Sequence, residues 1–227
     1  MIEVTEYMEE IVSKIDNSID GTYDLATQRT YFCDTKWARV GKKITDSLSN
    51  IFTITEVVTD QYIVAEDPTD PALFLDGLCT LEEPFWITGT KLATNREWSI
   101  SDSNLENKLP LVWLLEVISE TGYGRGSVYD RDFTVQIFFL DETDPSQYYT
   151  KDHREQVVKP MQKLMDQFIK TADSMRVYKT LESYQYKTFS RFGVEKENGV
   201  FQNILDANLS GVALDLTLTR YKQNCKC

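Results

Sequence analysis

The sequence predicts an α+β fold in which an antiparallel sheet is covered by helices and a small β-barrel-like module is inserted. Three observations predict it. Between residues 152 and 170, Val157, Val158, Met161, Leu164, Met165, Phe168 and Ile169 recur at helical spacing, an apolar stripe that needs a sheet to lie on. Near the end, GVALDLTLTR alternates Val212, Leu214, Leu216 and Leu218 with Ala213, Asp215, Thr217 and Thr219, the period of a strand with one inward face. From residue 31 to 100, short runs rich in β-branched and aromatic residues are spaced by Asp-Pro, Asp-Gly and Thr-Gly turn signals, the mark of a small barrel or hairpin stack.

The elements follow in order. Val4, Met8, Ile11, Val12 and Ile15 predict an amphipathic helix over residues 4–18, with Thr5 as its cap and Gly21 past its end. A polar, turn-rich stretch runs to Thr30. Strands are then expected at YFCDT, FTITEVV, QYIVAE, ALFLDGL and EPFWITGTKL, with Pro68, Pro71 and Pro84 at the breaks, where a missing amide donor matters least. KWARVGKKITDSL reads as a strand entering through Val40 and Ile44. LPLVWLLE, residues 109–116, is too short for a helix and reads as a buried strand. Its expected partner is DFTVQIFFL, residues 132–140, with SETGYGRGSVYD as a glycine-rich hairpin tip. Asp152 and Glu155 suggest a capping box for the helix at 152–170, and Pro160 should bend it or start its main segment. Asn198-Gly199 is a hairpin signal. The division expected is residues 1–30 with 101–227 as the α+β domain, and 31–100 as the inserted module.

A chain of 227 residues can bury a core without disulfides or metals. No run of about 18 apolar residues occurs, and MIEVTEYMEEIVSKI is acidic where a signal peptide is basic and then apolar, so a cytosolic product without membrane contact is expected. Cys33, Cys79, Cys225 and Cys227 are too few and unevenly spaced for a disulfide framework. The formal net charge of -12 argues against a protein that grips nucleic-acid phosphates. It suits a wall that DNA must slide past, because like charge disfavours any stationary bound state.

No catalytic, cofactor-binding or metal-binding residue is predicted. His153, in DHRE, is expected as a solvated residue of a helix start. GYGRG, Gly122–Gly126, lacks the lysine and the helix N-terminus of a phosphate loop and reads as a hairpin tip. Cys225 and Cys227 in NCKC lack the further ligands of a closed zinc site. The acid pairs Glu9-Glu10 and Glu82-Glu83 point apart and read as solvated charge. No nucleophile elbow, Walker loop or HExxH motif occurs, so no enzyme is expected. Tyr123 and Arg125, at the hairpin tip, are of types enriched in interface anchors and are the expected assembly contacts.

The order of elements, with N-x-x-P-x-x-W-L through Asn107, Pro110, Trp113 and Leu114 and K-P-x-x-x-L-x-x-x-F from Lys159 to Phe168, resembles the tail-terminator and neck-ring proteins of tailed bacteriophages, especially phages of Bacteroides, including the crAss-like group. The resemblance covers most of the chain and rests on structural strings without catalytic content. It implies a virion component, assembled in the host cytoplasm, that forms a sixfold or twelvefold ring with copies of itself. Its partners would be neighbouring portal, neck or tail ring proteins, with genomic DNA passing through the lumen without specific binding. The rival expectation is a nucleic-acid-binding module, if residues 31–100 form an OB-like barrel on which Tyr31, Phe32, Trp37, Phe52, Tyr62, Phe85 and Trp86 could stack bases beside Lys36, Arg39, Lys42 and Lys43.

Overall fold

The structure is a computed structural model describing residues 3–70, 72–101, 104–123, 130–180, 184–197, 200–203, 205 and 207–220. It begins with α1, Val4–Ser13, whose Val4, Tyr7, Met8, Ile11 and Val12 are buried. The helix is capped not by Thr5 but by Glu3, in a reciprocal capping box with Glu6. It also stops short of residue 18. The Asp16 carboxylate accepts the Ser18 amide at 3.1 Å and turns the chain into a strand.

That strand opens a closed barrel of six: β1 Ser18–Asp24, β2 Arg29–Phe32, β3 Lys43–Asp46, β4 Ile51–Val58, β5 Tyr62–Glu66 and β6 Gly77–Leu81, in the order β1-β2-β5-β4-β3-β6, every neighbour antiparallel. Ile19, Phe32, Ile44, Phe52, Ile54, Ile63, Cys79 and Leu81 fill it. The barrel therefore starts inside the stretch expected as polar turn. SIDGTYD sends Ile19 and Gly21 inward, but glycine and aspartate weaken its strand signal. Three expected strands are corrected. Val40 is an exposed turn residue and only Ile44 enters a strand. Residues 72–76 of ALFLDGL are irregular, with β6 starting at Gly77, which holds φ 72°. EPFWITGTKL divides at Gly89, where β7, Phe85–Gly89, ends and α2, Lys91–Ser101, begins. Thr90 caps that helix, its hydroxyl accepting the Ala93 amide at 3.3 Å.

A second sheet holds β8, Leu111–Tyr123, and β9, Asp130–Glu142, followed by β10, Tyr178–Thr180, and β11, Gln185–Phe189. A separate hairpin, β12 Val194–Glu197 with β13 Val200–Asn203, precedes β14, Leu209–Arg220. The sheet order is β10-β14-β9-β8-β7, and β11 pairs with β14 beside β10. All pairings are antiparallel except β7 with β8, a parallel pair joined by the α2 crossover. LPLVWLLE enters β8 and pairs with β9 as expected, Leu111 opposite Leu140 and Trp113 opposite Phe138. Asn198 and Gly199, between β12 and β13, lie outside the described residues.

The stripe at 152–170 lies in a helix of changing pitch: α3 Lys151–His153, a π turn Arg154–Val158, then α4 Lys159–Met175. The start is capped by the Thr150 hydroxyl on the His153 amide rather than by Asp152, and Pro160 opens the regular α segment, where a missing donor is tolerated. Met161, Leu164, Met165 and Phe168 pack with Val212, Leu214, Leu216, Leu218, Ile137 and Phe139 in one core that also takes in α1 and the barrel interior. The other face of the sheet buries Trp113, Phe138, Leu140 and Ala213 beneath Trp98 of α2, Phe192 and Leu205.

Candidate functional site

A cleft of about 520 Å³ separates the barrel from the sheet. Ala38, Arg39 and Thr59 line it from the barrel, and Asp141–Asp144 and Gln156 from the sheet and the π turn. Arg39 spans it. Its Nη1 lies 2.5 Å from Asp141 Oδ1 and its Nη2 3.5 Å from Glu142 Oε2. Burial pushes the Asp141 carboxyl up, and the Arg39 guanidinium opposes that shift. The remaining carboxylate, Asp144, accepts the Ser146 amide at 2.8 Å as a cap, which with its side-chain contact holds it below the usual range. Arg39, Asp141 and Glu142 thus bridge the two lobes, while Asp144 caps its own turn. Nearby, Lys163 joins Asp34 at 2.7 Å and Asp60, Lys159 lies 2.9 Å from Asp60, and Thr59 donates to the Glu155 carbonyl at 3.0 Å.

His153 is not solvated. It is 2% exposed, edge-on to Tyr148 at 6.0 Å, and burial lowers its pKa, which keeps the imidazole neutral at neutral pH. Its Nε2 and the Tyr148 hydroxyl are both buried without hydrogen-bond partners. The helix-start pattern DHRE did not show this, because the ring set against the imidazole is that of Tyr148, outside the helix.

The aromatics and cations singled out on residues 31–100 divide sharply. Phe32, Trp37 and Phe52 are core. Tyr31 is exposed and meets Tyr62 edge-on at 5.9 Å, while the Arg29 guanidinium lies 4.1 Å above the Tyr62 ring. Phe85 and Trp86 belong to the second sheet. Three of the four cations are engaged: Lys36 with Asp16 at 3.0 Å, Arg39 with Asp141, and Lys42 with Glu82 at 3.3 Å. Glu82 is thereby not merely solvated charge.

Two further surfaces stand out. Among the described residues of α2 only Thr94 and Trp98 are buried, and Leu92 and Ile100 are 81% and 72% exposed. The β8–β9 pair is the other. Its inner half is buried on both faces, but its register breaks between Leu115 and Ser119, and Ser119–Gly122 beyond the break are exposed. Glu116, the acid that ends LPLVWLLE, sits in that break. Among the described residues no strand pairs with the outer edge of β8 past Leu115. Tyr123 ends β8 opposite Asp130, its side chain outside the described set, as are Arg125, Cys225 and Cys227. Of the remaining cysteines, Cys33 is exposed and Cys79 buried, both free thiols. Among the described residues no group of His, Cys, Asp and Glu is arranged to hold a metal ion, and no helix is long and apolar enough to cross a membrane.

No family model, no curated protein and no solved structure matches the chain.

Proposed function

We propose that the chain is a structural virion subunit that assembles with copies of itself, six or twelve to a ring, in the neck or tail of a tailed bacteriophage, and lines the channel through which the genome passes. The observation that carries this reading is the arm formed by β8 and β9. Thirteen residues on each side make a ladder about 40 Å long. Past the register break β9 stays paired with β14 as far as Asp132, but Ser119–Gly122 of β8 are exposed and the other edge of β8 is unpaired by any described strand. An exposed strand edge is a template for another chain, and a monomer normally covers or blunts it. A ring neighbour would use it. The formal net charge of -12 suits a wall facing DNA. The nucleic-acid-binding reading has less support, since three of its aromatics are core and three of its cations are paired.

The test is assembly. The purified chain, or virions of its phage, should contain it as a small fixed multiple by mass measurement. Replacing Tyr123 and Arg125 together by glycine should leave the circular dichroism spectrum unchanged and abolish the multiple. A chain that stays monomeric at every concentration and is absent from particles would end the ring reading, and normal assembly of the double variant would remove the arm's tip from it.

A further inference from the structure

The barrel's outer surface carries a groove of about 360 Å³ that the ring reading leaves unused. Val64 and Ala65 of β5 line it, and Phe74 stacks on Tyr23 along it, ring centroids 4.3 Å apart and planes 16° from parallel. This stack is rigidly mounted. Leu75 is buried in the barrel, its carbonyl accepts the Thr30 hydroxyl at 2.6 Å, and Asp76 Oδ1 accepts the Tyr23 amide at 2.9 Å. Between these anchors Phe74 remains 50% exposed, so an aromatic surface is held open to solvent by design of the backbone around it.

The charged groups of the groove are carboxylates, and no Lys or Arg lines it. Asp67 is 7% exposed, and its Oδ1 takes the Thr69 amide at 2.7 Å, the Thr69 hydroxyl at 2.6 Å and the Asp70 amide at 3.1 Å, while among the described residues no hydrogen bond falls on Oδ2. These bonds, that from the Thr69 hydroxyl foremost, hold the carboxyl below its usual range, so it stays ionised. Glu66 and Gln28 also line the groove, and among the described residues neither side chain has a hydrogen bond or ion pair. Two carboxylates with no Lys or Arg among the residues lining the groove repel phosphates, nucleic acids and acidic peptides. A ligand that uses every feature is neutral, has a C–H face for the aromatic pair, and carries hydroxyl donors for Asp67 and Glu66 with a donor and acceptor for Gln28. The volume falls within the roughly 300–1,000 Å³ of small-molecule sites.

We propose that this groove binds a neutral saccharide, with a pyranose ring on the Phe74–Tyr23 stack and its hydroxyls on Asp67, Glu66 and Gln28. The site does not depend on the ring reading. Isotope-labelled full-length chain titrated with maltotriose, cellotriose and chitotriose should show saturable amide shifts confined to Tyr23, Gln28, residues 64–67 and residues 73–74 for at least one of them. Phe74→Ala should weaken that binding at least about tenfold. Glu66→Ala, which leaves the stack untouched, should weaken it as well, and Leu48→Ala at the β3–β4 turn should not change it. The proposal is overturned if none of the three sugars moves the groove amides. Undiminished binding in both Phe74→Ala and Glu66→Ala, or stronger shifts of the same amides with calcium chloride or a single-stranded oligodeoxynucleotide than with any sugar, would overturn it too.

Discussion

In the barrel every strand has a partner on both sides, whereas in the sheet β7, β10 and β11 each border a described strand on one side only. The same chain thus builds one region whose backbone is satisfied and another whose backbone is still available. A closed barrel can recruit a partner only through side chains, as its Phe74–Tyr23 groove is suited to do. An open sheet can recruit one through backbone donors and acceptors as well, which is why the assembly reading falls on the β8–β9 arm and the ligand reading on the barrel.

The comparison can be broken at its tightest points. Gly211 of β14 holds φ 154°, and a Cβ there would lie 2.0 Å from the Phe139 carbonyl oxygen of the neighbouring strand. Because backbone has nowhere to go in a central ladder, Gly211→Ala should cost about 4 kcal/mol. For the matching Gly21→Ala in the barrel the three nearest atoms are all of the Phe32 ring, the closest at 2.4 Å, and a side chain can shift, so about 2 kcal/mol is expected. Denaturant unfolding of the two variants checks the order. Equal losses would mean that the barrel wall is as unyielding as the sheet's centre.

The joint between the regions comes next. Arg39→Met leaves the buried Asp141 carboxyl without its cation and should cost about 3 kcal/mol. Adding Asp141→Asn should recover part of that, since the amide carries no charge. A loss below about 1 kcal/mol in the same assay would show that the pair bridges the cleft without holding it.

The smallest effect sharpens the joint's pH response. Burial raises the Asp60 pKa, but hydrogen bonds from Lys163 and Lys159 outweigh it and hold the group below its ordinary value. A depressed folded value means that this stabilisation is complete above the ordinary carboxylate range and is lost as pH falls through the folded value. Lys163→Met should therefore cost about 1 kcal/mol at neutral pH, less in high salt, and flatten the acid side of the stability profile. An unchanged acid limb would take Asp60 out of the joint.

What could be read from the sequence followed from how many faces an element buries. LPLVWLLE was legible because β8 is buried on both faces over Leu111–Leu114, and the α4 stripe because five of its side chains meet one sheet core. The helix α2 was not, since Thr94 and Trp98 alone, buried among its described residues, leave no stripe to find. β1 was hidden by Asp20 and Gly21, whose pairing comes from neighbours far along the chain. Of the candidate sites, the hairpin was visible as a pair of strands. The groove was not, because Leu73, Phe74 and Leu75 read as one apolar run although only Leu75 turns inward.

One contact described within the shared core also sets the order in which the molecule can be made. The face of α1 is buried with α4, and the Tyr7 hydroxyl donates to the Ala172 carbonyl at 2.9 Å across 165 residues. At roughly 5–20 residues per second, the first helix of a nascent chain waits roughly ten to thirty seconds for that acceptor to be synthesised. The barrel, whose strands all lie between Ser18 and Leu81, can close meanwhile. Its early closure leaves Tyr7, Met8 and Ile11 as sticky apolar surface on an otherwise finished module, the kind of segment a ribosome-associated chaperone holds until its partner is made.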